Sequence, residues 1–338
     1  MSRMFVGIDV SKDKLDVACC THERGAFLGT YVNAPAGFKR MAQRIDSQAQ
    51  ELSCEQIHVI VEPTGGYEQR VACFSFEKSW DVSLPNPYQV RRWAQAKGRR
   101  GKTDRHDAQV LADFGSQHEL SLWRPLPEQV ATLQALLDRR AALEKMIRQE
   151  ENRKESFRSR QLYQDLIKQN LDDTLERLKT SLAEINQALE EHINQDPQLH
   201  FESTLLKQVP GVGDIGCPKL LAIFHRFDTL TAGQGTAKQL VAYVGLDPQP
   251  HESGSSVHRR AHISHKGNGS IRAQLYMGAM GGSHAKDTPL TRFINRLLAA
   301  GKPAMVAYVA GARKILIWAW MVWKTQIPFD PAQACARA

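Results

Sequence analysis

Four carboxylates early in the chain have the types and surroundings to act on phosphate. Two lie three residues apart in G-K-T-D-R-H-D-A, as Asp104 and Asp107. With Thr103 as N-cap they fall at i and i+3 on one helix face. Like charges at that spacing repel, and a divalent cation would offset them. Arg105 and His106 point elsewhere and read as surface or phosphate contacts. Asp9 lies near the end of a short apolar run, M-F-V-G-I-D-V, whose Val, Ile and Phe content suits a buried central strand. A carboxylate there is costly unless paired or metal-bound. The plainer alternative is a cap on the turn to Ser11. Glu62 follows the apolar run Ile57–Val61, where Pro63 and Gly65-Gly66 stop the strand and leave the acid at its tip. Hard oxygen donors of this kind suit Mg²⁺ or Mn²⁺. Two such ions about 3.5–4 Å apart clamp both oxygens of a phosphoryl displacement.

Cations flank the acids. Arg91, Arg92, Lys97, Arg99, Arg100, Lys102 and Arg105 crowd one basic stretch with Trp93 among them. Such a run is either a solvated helix face or a phosphate-binding flank. Further on, Ser253-Gly254-Ser255-Ser256 reads as a small polar loop after Pro248 and Pro250, ringed by Arg259, Arg260, Lys266 and Arg272. A serine in such a loop is ordinarily only a loop serine. Beside glycine and among cations it also has the setting of a nucleophile toward phosphate. His251, His258, His262 and His265 have no metal-ligand spacing and read as polar loop residues, any of which can relay protons. Pro210-Gly211-Val212-Gly213, between two apolar helices, is either a helix-hairpin-helix or a plain helical corner. In the first case Gly211 and Gly213 let backbone N–H groups face a phosphate.

These residues must be positioned by at least two kinds of domain. Residues 1–122 show three meander strands (4–10, 15–20 and 27–33), then alternating helices and strands, the order of an RNase H-like α/β fold. Residues 127–196 lack glycine and carry a heptad seam, Leu171, Leu175, Leu178, Leu182, Ile185 and Leu189. With an earlier helix at 128–158, this segment forms either a helical hairpin or a coiled coil to another subunit. Residues 203–330 are mostly helical, with Trp318, Trp320 and Trp323 read as core.

Composition adds bounds. The chain has 338 residues and a net charge of +8, and a pI near 9.2, which favours a polyanionic partner. Six cysteines without C-x-x-C or zinc spacing read as reduced thiols. No signal peptide is evident, and the late apolar run 315–323 is far shorter than the roughly 20 residues that span a bilayer. The expectation is a cytoplasmic protein with no membrane partner.

Taken in order, G-I-D-V-S-K, V-E-P-T-G-G-Y, K-T-D-R-H-D-A, P-G-V-G and H-E-S-G-S-S resemble the DEDD transposases of the bacterial insertion-sequence family described as bridge-RNA-guided recombinases. The resemblance covers nearly the whole chain. It implies a RuvC-like RNase H domain, a coiled coil and a C-terminal transposase domain with a catalytic serine. By motif, Asp9, Glu62, Asp104 and Asp107 match the DEDD set. Ser253 matches the serine, with Ser255 and Ser256 as neighbouring alternatives. The implied partners are the element's DNA ends and target, a structured guide RNA from the element, and further copies of the chain as dimer or tetramer. The implied setting is the bacterial nucleoid, and the implied cofactor is Mg²⁺ or Mn²⁺. His106 stands where an aliphatic residue is usual, and Cys217-Pro218 where small residues are usual. A competing enzyme reading is a metal-dependent Holliday-junction-type nuclease with no covalent intermediate. An actin-like ATPase shares G-I-D-V-S, but its later glycine-rich loops are not apparent. A non-catalytic nucleic-acid scaffold is the remaining class.

Overall fold

The computed structural model describes residues 2–21, 25–98, 104–159, 164–253, 257–264 and 267–332; at 104, 250–253 and 257–261 it describes the backbone alone. Arg99, Arg100, Lys102, Thr103, Ser255, Ser256, His265 and Lys266 therefore lie outside the described residues. The chain divides into two compact units, 1–125 with 229–233, and 126–228 with 234–338.

The first unit is a five-stranded mixed sheet with helices on both faces. Its elements are β1 (Arg3–Val10), β2 (Lys14–Cys20), β3 (Gly25–Val32), α1 (Pro35–Glu51), β4 (Gln56–Val61), α2 (Gln69–Glu77), β5 (Asp81–Ser83), α3 (Pro87–Ala96) and α4 (Asp104–Gln117). The spatial order is β3-β2-β1-β4-β5. β1, β2 and β3 pair antiparallel, while β4 runs parallel to β1, and β5 parallel to β4. That is the RNase H-like arrangement expected from the sequence. Alternation along β1 explains the two faces. Met4, Val6, Ile8 and Val10 pack with Phe38, Met41 and Ile45 of α1 and Val71 of α2. Phe5 packs on the opposite face with Ile60 of β4 and Leu111, Ala112 and Phe114 of α4.

The mostly helical stretch 88–117 comprises two elements, α3 and α4. Trp93 is part of their packing, edge-on to Phe114 at 5.5 Å and to His118 at 5.9 Å.

A buried histidine ties β4 to β5. His58 is 3% exposed. Ser83 Oγ donates to Ser121 O at 2.9 Å and lies 2.8 Å from His58 Nε2. Ser83 therefore accepts from a protonated Nε2, and the imidazole is neutral. Burial pushes the His58 pKa down to about 4. The unfolded chain takes up a proton below about 6.5 and the folded chain does not, so stability falls as pH drops from about 6.5 to about 4. The expected loss is roughly 3 kcal/mol. Urea unfolding at pH 7 and pH 4 measures it, and His58→Gln should remove that part of the difference.

The second unit is mostly helical. It comprises α5 (Glu128–Ser159), α6 (Asp165–Gln195), α7 (Pro197–Leu206), α8 (Cys217–Leu230), α9 (Ala237–Val244), β6 (Pro248–Ser253), β7 (Val257–Ile263), α10 (Gly269–Gly282), α11 (Pro289–Ala299) and α12 (Ala304–Thr325). α5 and α6 form an antiparallel hairpin within the chain. Lys154 pairs with Asp172 near one end, and His192 Nε2 meets Gln129 O at 2.8 Å near the other. Leu171, Leu175 and Leu189 of the heptad seam are buried, while Leu178, Leu182 and Ile185 are half-buried. Asp196 caps α7 through Leu199 N at 2.8 Å. Pro218 is the second residue of α8, where its missing N–H is tolerated. Trp318, Trp320 and Trp323 are core, with Trp320 and Trp323 packed on Phe224. Their helix, α12, is longer than the apolar run within it. Among the described residues it is the one helix long and apolar enough to cross a membrane, and half of that stretch is buried inside the protein.

One expectation is corrected here. Three of the histidines read as loop residues lie on an antiparallel pair, β6–β7, with His251 opposite Arg259, Glu252 opposite His258 and Ser253 opposite Val257, while 254–256 of the expected polar loop lie outside the described residues. His251, His258 and His262 lie on strands rather than in a loop. Pro248 and Pro250, both within β6, hide the strand signal.

Candidate active site

The first unit gathers its acids at one end of the sheet. β1 pairs with β4 up to Ile8 opposite Val61, so Asp9 and Glu62 are the next residues in register on neighbouring parallel strands. Gly7 and Ile60, two residues earlier on each strand, both lie under α4. A Cβ on Gly7 would sit 2.0 Å from Ala108 O and 2.5 Å from Ala112 N, and Gly115 is closed in by Ile60. Side chains two apart share a strand face, so Asp9 and Glu62 belong to the α4 face. α4 runs from Ala108 at Gly7 back to Gly115 beside Phe5 and Ile60, antiparallel to β1. Its first turn, with Asp104 and Asp107, therefore lies toward Asp9 and Glu62. The positive end of the helix dipole favours acids there.

A fifth acid escaped the sequence reading. Asp16 is the direct cross-strand partner of Asp9 and is only 4% exposed. Thr30 Oγ1 donates to its Oδ1, and Lys14 Nζ stands 3.4 Å from Oδ2. Counting outward from the Ser11–Lys14 turn would have found it, since residues 9 and 16 are equidistant from that turn.

Like charges directly opposite on a strand pair are destabilising. Lys14 stands at Asp16, and Arg91 lies 3.6 Å from Glu62. Asp9, Glu62 and Asp107 are half-buried carboxylates, a hard-oxygen set whose chemistry fits a divalent cation. Among the described residues no three potential ligands close into a ready cage. The Asp104 side chain, the fourth of the set, is not among those described.

The turn that presents Glu62 is held by a second missed residue. Gly65 and Gly66 both have positive φ, +61° and +96°. That conformation lets the Thr64 and Gly66 N–H groups converge on Glu68 Oε2 at 3.0 and 2.9 Å. Asn33 Nδ2 joins this turn to the loop after β1, donating to Ser11 O at 2.9 Å and Tyr67 O at 3.3 Å. Glu68→Ala should lower DNA-processing activity about 10- to 100-fold, the usual cost of losing an orienting contact. An unchanged circular dichroism spectrum and a raised requirement for Mn²⁺ would separate orientation from unfolding.

The cationic flank divides. Arg92 donates to Tyr88 Oη at 3.0 Å and lies over that ring, and Lys97 lies over Trp93. Arg105 stacks on Phe27, with Cζ 4.7 Å from the ring centroid. All three residues are exposed.

In the second unit, Ser253 is the last residue of β6; its side chain, like those of Arg259 and Arg260, is not described. Arg272 Nη1 donates to Val244 O at 3.0 Å and Gly267 O at 3.3 Å, closing the end of α9. Gly211 is a packing glycine: a Cβ there would meet Ile315 at 2.5 Å and Gly278 O at 2.9 Å. Gly213 faces open space. The P-G-V-G turn thus owes one glycine to close helix approach.

Residues 6–157 match the profile of the DEDD transposases of the IS110 type, and residues 203–294 match that of the "Transposase IS116/IS110/IS902 family". The chain is 29% identical over 330 residues, 98% of each chain, to the "Pilin gene-inverting protein" of Moraxella lacunata. The protein of the same description from Moraxella bovis matches equally, at 29% identity and 98% of each chain. Among solved structures, Thermus thermophilus RuvC in complex with a Holliday junction substrate overlaps 34% of this chain and 97% of its own, at 17% identity and a TM-score of 0.25. The sheet order, not that overlap, carries the fold. A DEDD domain of this class is dependent on a divalent metal and acts on DNA. The two profiles in their order, and relatives matched over almost their whole length, place the chain in the IS110 family of DEDD transposases, enzymes that recombine DNA.

Proposed function

We propose that this chain is an RNA-guided, site-specific recombinase that inserts and excises its own element through a phosphoserine intermediate. The acid half of this reading is supported by the β1–β4 register, in which Asp9 and Glu62 follow the paired Ile8 and Val61, and by the antiparallel run of α4 over Gly7. Asp9, Glu62, Asp104 and Asp107 would hold Mg²⁺, which supplies Lewis-acid stabilisation of charge on the phosphate. Ser253 Oγ attacks the phosphorus and loses its proton. The P–O bond to one deoxyribose breaks, and the leaving oxygen takes up a proton. Rejoining reverses these steps at a new partner, so the phosphodiester bond energy is kept in the serine ester. Arg259, Arg260 and Lys266 supply positive charge for the phosphate that the serine attacks, and Arg91, Arg92, Lys97, Arg99, Arg100, Lys102 and Arg105 contact the DNA backbone.

Concerted cleavage at two ends needs more than one copy, and the half-buried middle of the α5–α6 seam offers apolar surface for a dimer or tetramer. Sequence choice rests on base pairing by a structured RNA, with the protein reading shape and backbone. The relatives described as pilin gene-inverting proteins support inversion as a further outcome of the same strand exchange. The reaction takes place in the cytoplasm, on the bacterial nucleoid.

A reporter plasmid carrying the element ends and target tests the guidance. Recombination should vanish when the element's noncoding segment is deleted and return when its RNA is supplied in trans. Equal recombination without that RNA would contradict it.

A further inference from the structure

The base of the α5–α6 hairpin and the turn between α7 and α8 enclose a cavity of about 430 Å³. Arg140 of α5, Asn186 and Asn194 of α6, Ser203 of α7 and Lys207 line it. Arg140 is 8% exposed. Its Nε is sealed from solvent and makes no hydrogen bond, although Glu144 Oε1 lies 3.2 Å away off the N–H direction. Glu144 offsets the Arg140 charge from the same helix, but the Nε–H is left without an acceptor, and a phosphate oxygen in the cavity would supply one.

The guanidinium fork matches a phosphate in a two-point contact. Lys207 supplies a second positive charge. Its present partner is Asp214 Oδ1 at 2.7 Å, and the Asp214 side chain is 89% exposed, so it can turn into solvent. The two amides and the Ser203 hydroxyl are neutral donors for the remaining oxygens. The acids of the lining, Glu190 and Asp214, are both exposed. Asp214 and Ile215, which follow the Gly211–Gly213 turn, also line the cavity.

We propose that this cavity is a phosphate-binding site in which Arg140 grips the phosphate and Lys207 adds charge. The phosphate comes either from a nucleic-acid strand or from a free phosphate. The proposal deepens the DNA- and RNA-contacting role above, but it is read by binding alone, so it can fail while recombination stands.

Full-length wild type, Arg140→Gln, Lys207→Gln and the control Lys179→Gln, on α6 outside the cavity, would be titrated with fluorescent duplex and single-stranded oligonucleotides. Each would also be melted with and without inorganic phosphate. For a strand phosphate, the two cavity variants bind oligonucleotide roughly tenfold more weakly, with a salt slope smaller by about one, and the control is unchanged. For a free phosphate, oligonucleotide binding holds, but phosphate raises the melting temperature of wild type and control only. If both cavity variants match wild type in both assays, the site is overturned. Should Arg140→Gln fail to fold, Lys207→Gln decides alone.

Discussion

Asp9→Asn should abolish recombination while leaving the first unit as stable as before, or slightly more so. The two halves of this expectation have one cause. Asp9 and Asp16 are directly opposed on β1 and β2, and like charges so placed repel. Removing one negative charge relieves that repulsion. The same substitution removes the carboxylate that stands in register with Glu62 and toward which the first turn of α4 leads. A ligand to a catalytic cation contributes several kcal/mol of transition-state stabilisation, so the rate should fall at least about a thousandfold. A plasmid recombination assay and thermal melting, run on the same preparation, check both. A melting temperature that drops with activity would mean that Asp9 is a structural cap on the turn to Ser11.

Gly7→Ala is the second large effect, and its sign on stability is opposite. The added methyl would lie 2.0 Å from Ala108 O and 2.8 Å from Leu111 Cβ. The nearest of these atoms is helix backbone, which cannot swing away, so α4 must lift off the sheet. Overpacking of this kind costs about 3 kcal/mol or more. The displaced element is the one that carries Asp104 and Asp107, so activity falls as well. Urea unfolding followed by the fluorescence of Trp93, which packs between α3 and α4, reports the loss. A midpoint equal to wild type would show that α4 does not rest on Gly7.

Much of the first unit was legible because its signals are local. The apolar runs at 4–10 and 57–61 are short, β-branched and sharply stopped, so their ends, and hence Asp9 and Glu62, followed directly. What was not legible depends on partners distant in sequence. Gly7 looks like any strand glycine until α4 is laid across it. Glu68 reads as a surface acid until two glycines with positive φ aim their neighbours' N–H groups at it. Trp93, interleaved among arginines, packs on Phe114, a contact that only the meeting of α3 and α4 creates. In the second unit, the pairing of β6 with β7 was hidden by the two prolines within β6. Gly211 shows the same limit: its close approach to Gly278 and Ile315 has no sign in the sequence around it.

The central claim is that Ser253 forms a covalent bond to DNA with the help of the acidic cluster. The most direct test is to co-express the chain with its element's flanking DNA and noncoding RNA, denature, and look for DNA attached to protein. Wild type, Ser253→Ala and Asp104→Ala would be compared side by side. An adduct in wild type alone, mapped to the peptide containing Ser253, is the expected result. Strand cleavage or recombination in wild type with no adduct, or undiminished recombination by Ser253→Ala, would contradict the account and place the chemistry on the acids alone.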